Sequence, residues 1–187
     1  MRMFFFSVLA LTLTSCATSR QPSMPMETAP HPDVRVSGAL PEPAFTVPER
    51  WSVTATETTD DISVIAEVTL ERPEMDGIMY LAVTDAQGMS TRDNALLARA
   101  DLATILPDVV ISDVAEGLTG PDEAVFVAQW QVQGAKEVAV YRTKLIVRTI
   151  PGDPKHFALC SGTWPDDAHA FLVTPLHDAC QSVRAPR

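Results

Sequence analysis

The 187 residues carry 24 acidic against 14 basic side chains, a formal charge of −10, and the basic ones are scattered along the chain. Without a basic stripe to neutralise phosphates, nucleic acid is excluded as a partner. The length, less the N-terminal segments described next, suits one domain with a real core.

A single charge at Arg2 precedes an apolar stretch, Met3 to Leu13. Its length suits the central region of a secretory signal and falls short of the ~20 residues a spanning helix needs. The stretch closes with Leu13-Thr14-Ser15-Cys16. That ending resembles the lipobox of bacterial lipoprotein signal peptides, where an aliphatic and two small residues precede the cysteine that becomes the mature N-terminus. The resemblance implies that residues 1–15 are removed as a signal peptide and that Cys16 carries lipid, palmitate among its acyl chains. The protein is then anchored to a membrane of the bacterial cell envelope. Ala17, where an aspartate would imply inner-membrane retention, implies the outer membrane, facing the periplasm. Removing Arg2 from a charge of −10 leaves −11. Attachment therefore rests on the acyl chains and not on attraction to anionic lipid.

Residues 16–44 read as a lipidated, disordered tether. Pro22, Pro25, Pro30, Pro32, Pro41 and Pro43 stand among Ser, Thr and few bulky apolar groups. Such a segment cannot repay its ordering entropy by burial. Apolar residues return at Phe45-Thr46-Val47-Pro48-Glu49-Arg50-Trp51, and a single domain spans 45–187. Ile62 to Glu71 alternates as a half-buried strand, Asp76-Gly77 supplies a hairpin turn, and Ile78–Val83 returns. After a turn at Asp85-Ala86-Gln87-Gly88, Ser90-Thr91-Arg92-Asp93 caps a helix over about 91–106. Its expected apolar row is Leu96, Ala100 and Ala103, flanked by Leu97, Ile105 and Leu106. Pro107 ends it.

Four strand-like runs follow. They are Val109–Val114, then Ala124–Val132 with Ala124, Phe126, Ala128, Trp130 and Val132 on one face. The third is Glu137–Thr149, interrupted by Arg142, Lys144 and Arg148, and the fourth is His156–Trp164. Short turns between long runs imply an antiparallel meander. Asp166 or Asp167 caps a final helix on which Leu172, Leu176, Cys180 and Val183 form one stripe. Pro175 either restarts that helix or kinks it. With Cys16 assigned to lipid, Cys160 and Cys180 are left as an even pair in an oxidising compartment. Their disulfide would staple helix to sheet, worth about 3 kcal/mol for a loop of about 20 residues.

The expected fold class is α+β, an antiparallel sheet packed by two helices. The order of elements resembles the PsbP/DcrB-like α/β sandwich, and Phe45-x-Val47-Pro48-x-x-Trp51 is similar to that family's opening F-x-x-P-x-x-W strand. Arg50 stands where the family often has glycine. A cystatin- or NTF2-like fold, one helix cradled by a curved meander, is the alternative. The resemblance implies an accessory, assembly or binding protein and brings no catalytic constellation.

The chemistry-bearing residues point the same way. There is no G-x-S-x-G and no SxxK, so Ser161 reads as a strand residue. His169 and His177 lie eight apart, two turns along a helix, His156 begins a strand and His31 lies in the tether. None of these spacings makes a metal site, and surface histidines are expected. Asp60-Asp61, Asp122-Glu123 and Asp166-Asp167 fall at turns or caps, where Asp bonds to backbone. Trp130 belongs to the core, whereas Trp51 and Trp164, near strand ends, are candidates to contact a ligand. The reading is a non-enzymatic envelope lipoprotein that binds a protein partner or small ligand, with no catalytic residue, metal or cofactor assigned. The alternative is an envelope hydrolase or metal-dependent enzyme with a dispersed site.

Overall fold

The computed structural model describes residues 34–35, 44–47, 51–57, 62–70, 77–106, 108–133, 138–166 and 169–184. The lipobox with Cys16, most of the tether, His31, Asp60, Asp61 and Asp167 lie outside the described residues. Two short strands, β1 (Val34–Arg35) and β2 (Ala44–Phe45), pair antiparallel. Part of the segment expected as tether is therefore in a ladder. Between Pro32 and Pro41 the chain has no proline, and β-branched Val34 lies opposite Phe45. Phe45 and Val47 are buried, and the Thr46 N–H donates to Ser182 Oγ at 2.7 Å.

The main sheet has eight strands, all antiparallel. They are β3 (Trp51–Glu57), β4 (Ile62–Leu70), β5 (Ile78–Asp85), β6 (Val110–Ile111), β7 (Ala115–Gly117), β8 (Gly120–Gln133), β9 (Val138–Ile150) and β10 (Asp153–Pro165). Their spatial order is β3-β4-β5-β10-β9-β8-β6, with β7 also on β8. The last strand thus closes onto β5, with Cys160 opposite Leu81 and Ala158 opposite Val83. Two helices, α1 (Thr91–Ile105) and α2 (His169–Ser182), complete the described elements. This is the expected α+β class.

Strand alternation assigns each helix a face. Cys160, Ile146, Leu81 and Val83 share a face with Trp164 and Met79, and α2 packs there through Leu172, Leu176, Cys180 and Val183. Ala124, Phe126, Ala128 and Trp130 of β8, with Leu145 and Val147 of β9, point the other way and are buried too. Helix α1 covers that second face through Ala95 and Leu102. Gly162 has a steric task. A Cβ there would meet the Trp164 ring at 2.2 Å and Leu176 at 3.0 Å, so only glycine lets the indole lie across the strand beneath α2. Helix α2 runs through Pro175 without interruption. Proline removes one helical hydrogen bond, and the buried stripe on either side holds the turn in place.

Two expectations about elements change. The row Leu96, Ala100, Ala103 faces outward, Leu96 and Leu97 being 43% and 39% exposed, while Thr91, Ala95 and Leu102 are buried. Polar hooks choose that rotation. Thr91 Oγ1 donates to Pro121 O at 3.0 Å, Arg92 Nη1 to Val114 O at 3.3 Å, and Arg99 Nε to Ser112 O at 2.8 Å. The strand expected over Val109–Val114 breaks after Ile111. There the Ser112 N–H still donates to Val127 O at 2.9 Å, but Val127 N–H donates to the Ser112 hydroxyl at 3.0 Å and the Ser112 carbonyl is taken by Arg99, so the reciprocal ladder bond is replaced.

Candidate functional site

Cys160 and Cys180 are joined, their Cα atoms 5.8 Å apart, and both are fully buried between β10 and α2. Trp51 and Trp164, expected as possible ligand contacts, are 1% and 0% exposed and belong to the core beneath α2. Neither is therefore an exposed candidate to contact a ligand. Their positions near strand ends are roofed by the helix and by Phe45 and Val47, which strand position alone does not reveal. Ser161 is a β10 residue paired with Tyr80 and Leu145.

The histidines are not all surface groups. His156 Nδ1 is 2.7 Å from Asp153 Oδ2 at the start of β10. Burial pushes the Asp153 carboxyl up, but the hydrogen bonds from His156 and the Lys155 N–H outweigh it. The group therefore titrates below the ordinary carboxylate value. His177 is 7% exposed, and its Nε2 lies 3.3 Å from Oε1 of Glu123, itself 1% exposed. The Gln181 amide, one turn on, is 3.3 Å from the same nitrogen.

Glu123 is therefore not a turn residue facing solvent. Its carboxylate reaches back over the β7–β8 turn, where Oε1 accepts from the Leu118 N–H and Oε2 from the Thr119 hydroxyl, both at 3.1 Å. Gly117 makes room, since a Cβ there would sit 2.1 Å from Oε1. With the Leu118 N–H, the Thr119 hydroxyl and the His177 ring around it, the buried carboxylate latches the turn to α2. Parity carried the signal. Glu123 falls on the Val125 face of β8, which is the α2 face, and His177 sits one residue from the apolar stripe.

The cations that interrupt β9 lie on that same α2 face. Arg148 is opposite Glu123, Lys144 is opposite Val127 and Gly162, and Arg142 is opposite Gln129 and Trp164. Arg142 pairs with Asp166, and Arg148 Nη1 donates to Cys180 O at 3.4 Å. Lys144 is half-buried, and among the described residues its ammonium makes no hydrogen bond or ion pair. Burial lowers its pKa, partly offset by the charge of Glu123. Beside it, Val125 and Val173 are partly buried against the core.

The polar residues beside α2 are thus a buried carboxylate–histidine pair, Glu123 with His177, and the β9 cations Arg142, Lys144 and Arg148 on the same face. Among the described residues, no three His, Cys, Asp or Glu side chains gather so as to hold a metal ion. No described helix is long and apolar enough to cross a membrane.

No family model matches the chain, and no curated protein matches it. Among solved structures it is similar to LpqN, whose structure is described as that of a protein involved in cell envelope biogenesis of Mycobacterium tuberculosis. The TM-score is 0.48 at 14% identity, covering 83% of this chain and 91% of that chain. At that distance the likeness carries neither activity nor partner across.

Proposed function

We propose that this chain is a bacterial envelope lipoprotein, anchored through acyl groups on Cys16 in the outer membrane and facing the periplasm. Its domain is a non-enzymatic accessory or binding module for a protein partner or small ligand. The observation that carries the reading is the cysteine pairing. Cys160 and Cys180 are fully buried and bonded to each other, which suits an oxidising compartment. Cys16 is the third and last cysteine, and it follows Leu13-Thr14-Ser15 at the end of an apolar stretch. The placement of α1 and α2 on opposite faces supports a PsbP/DcrB-like sandwich over a single cradled helix. Binding is favoured over hydrolysis because the Glu123–His177 pair is closed from solvent and acts as a tie between β8 and α2.

Mass spectrometry of the membrane-extracted protein tests the anchor. Acylated Cys16 is expected at the mature N-terminus, and a chain starting elsewhere or lacking acyl mass overturns it. Crosslinking in cells followed by affinity purification tests the module. A specific partner or ligand is expected, whereas hydrolytic activity abolished by a single substitution overturns the binding reading.

A further inference from the structure

Among the described residues, Glu123 is the only buried carboxylate and His177 the only buried histidine, at 1% and 7% exposure. The fold brings the two into contact across 54 residues of sequence. A tie between a turn and a helix does not need ionisable groups. An apolar pair of similar size would hold β8 to α2 without the cost of taking charge out of water. What a carboxylate–imidazole pair adds is a response to protons.

The groups that touch Glu123 are donors or can become so. The Leu118 N–H and the His177 ring meet Oε1, and the Thr119 hydroxyl meets Oε2. The charges that face it are mostly positive. Arg148, its register partner on β9, and Lys144 on the same strand both feel its charge. Arg184, beyond α2, acts on Arg148, and Asp122, next along β8, is the other anion that does so. On α2 the neutral Gln181 amide lies against the same His177 nitrogen. An ionised carboxylate suits that shell. Groups in contact take up protons as a pair. The first proton leaves the tie intact, as imidazolium against carboxylate or as carboxylic acid against imidazole. The second turns both partners into donors that face each other, and it removes the buried anion opposite Arg148.

We infer that the Glu123–His177 pair is an acid-released latch: it fixes the β7–β8 turn to α2 while it holds one proton or none, and frees the turn when it holds two. The freed turn carries Leu118, which is 82% exposed, so acid loosens the presentation of an apolar side chain at its tip. The latch needs neither the anchor nor a partner to operate.

The Leu118 N–H is a direct reporter, because it donates to Oε1 of Glu123 at 3.1 Å. Amide exchange of the full mature chain is followed by NMR from about pH 8 to about pH 4, which spans ordinary histidine and carboxylate titration. After correction for intrinsic exchange, protection of Leu118 is divided by that of Ser112, whose N–H donates to a backbone carbonyl, Val127 O, at 2.9 Å. The ratio should fall about tenfold at the acid end, the worth of one hydrogen bond to a charged group, while the far-ultraviolet circular dichroism holds. In Glu123→Gln, which cannot ionise, the ratio should not change with pH. In Gly117→Ala the added Cβ, 2.1 Å from Oε1, pushes the carboxylate aside, and the ratio should be low at every pH. A constant ratio in the parent overturns the latch without recourse to either variant. So does a fall that tracks loss of the circular dichroism signal, an equal fall in Glu123→Gln, or a parent-like profile in Gly117→Ala.

Discussion

The two helices are attached to the same sheet by different physics. Helix α2 presents a continuous buried stripe to a face containing Trp51, Trp164, Phe45 and Met79, and Cys180 ties it covalently to β10. Helix α1 buries only Thr91, Ala95 and Leu102 and leaves two leucines in solvent. It is placed by the Ser90 cap, whose hydroxyl oxygen accepts from Asp93 N–H at 3.1 Å, and by its hooks to Pro121, Val114 and Ser112. Apolar burial scales with area and is insensitive to rotation, while hydrogen bonds are directional and worth about 1 kcal/mol each. One helix is therefore fixed in strength and the other mainly in orientation, and α1 should be the first to open locally.

Substitutions can break this contrast. The largest effect is expected for Trp164→Ala, which empties the centre of the α2 face and should cost about 3–5 kcal/mol in urea unfolding. A cost under about 1 kcal/mol would mean that the face is not the principal core. Next comes the staple. Replacing Cys160 and Cys180 by alanine should remove about 3 kcal/mol. Native-state hydrogen exchange should then show protection in α2 falling toward that of α1, with α1 unaffected. Ser90→Ala should cost about 1 kcal/mol. Its effect on exchange should be confined to α1; loss of protection in α2 would show that the two attachments are coupled.

The smallest effect concerns Lys144, on the flank of α2. Its folded pKa lies below the ordinary value of 10.5, so the fold disfavours the protonated form. That penalty is full below the folded pKa and fades as pH rises through it toward 10.5. The stability of the parent protein relative to Lys144→Met should therefore climb across the alkaline range, with the variant the more stable at neutral pH. A difference independent of pH would show that the ammonium is fully solvated.

Some of this was written locally. Strand alternation from Ala124 to Val132, the Ser90 cap and the stripe Leu172, Leu176, Cys180, Val183 depend on neighbours within a few residues, and they read correctly from periodicity alone. The helix at 91–105 was equally plain, but its rotation was not. Alanine and leucine occupy two adjacent stripes, and the choice fell to Arg92, Arg99 and Thr91 reaching carbonyls 13 to 30 residues away. The same holds for the polar residues beside α2. Glu123 and His177 are 54 residues apart, and Asp122-Glu123 has the composition of an exposed turn until β8 and α2 are brought together.

The sequence by itself determined the class of fold, the Ser90 cap and the pairing of Cys160 with Cys180. Each of those follows from spacing and composition along the chain. The tertiary structure alone decided that β10 closes onto β5, that Trp51 and Trp164 are buried, and that Glu123 meets His177. Those outcomes depend on which side chains meet across the sheet and under a helix, and a pairwise contact between distant segments has no signature in local periodicity.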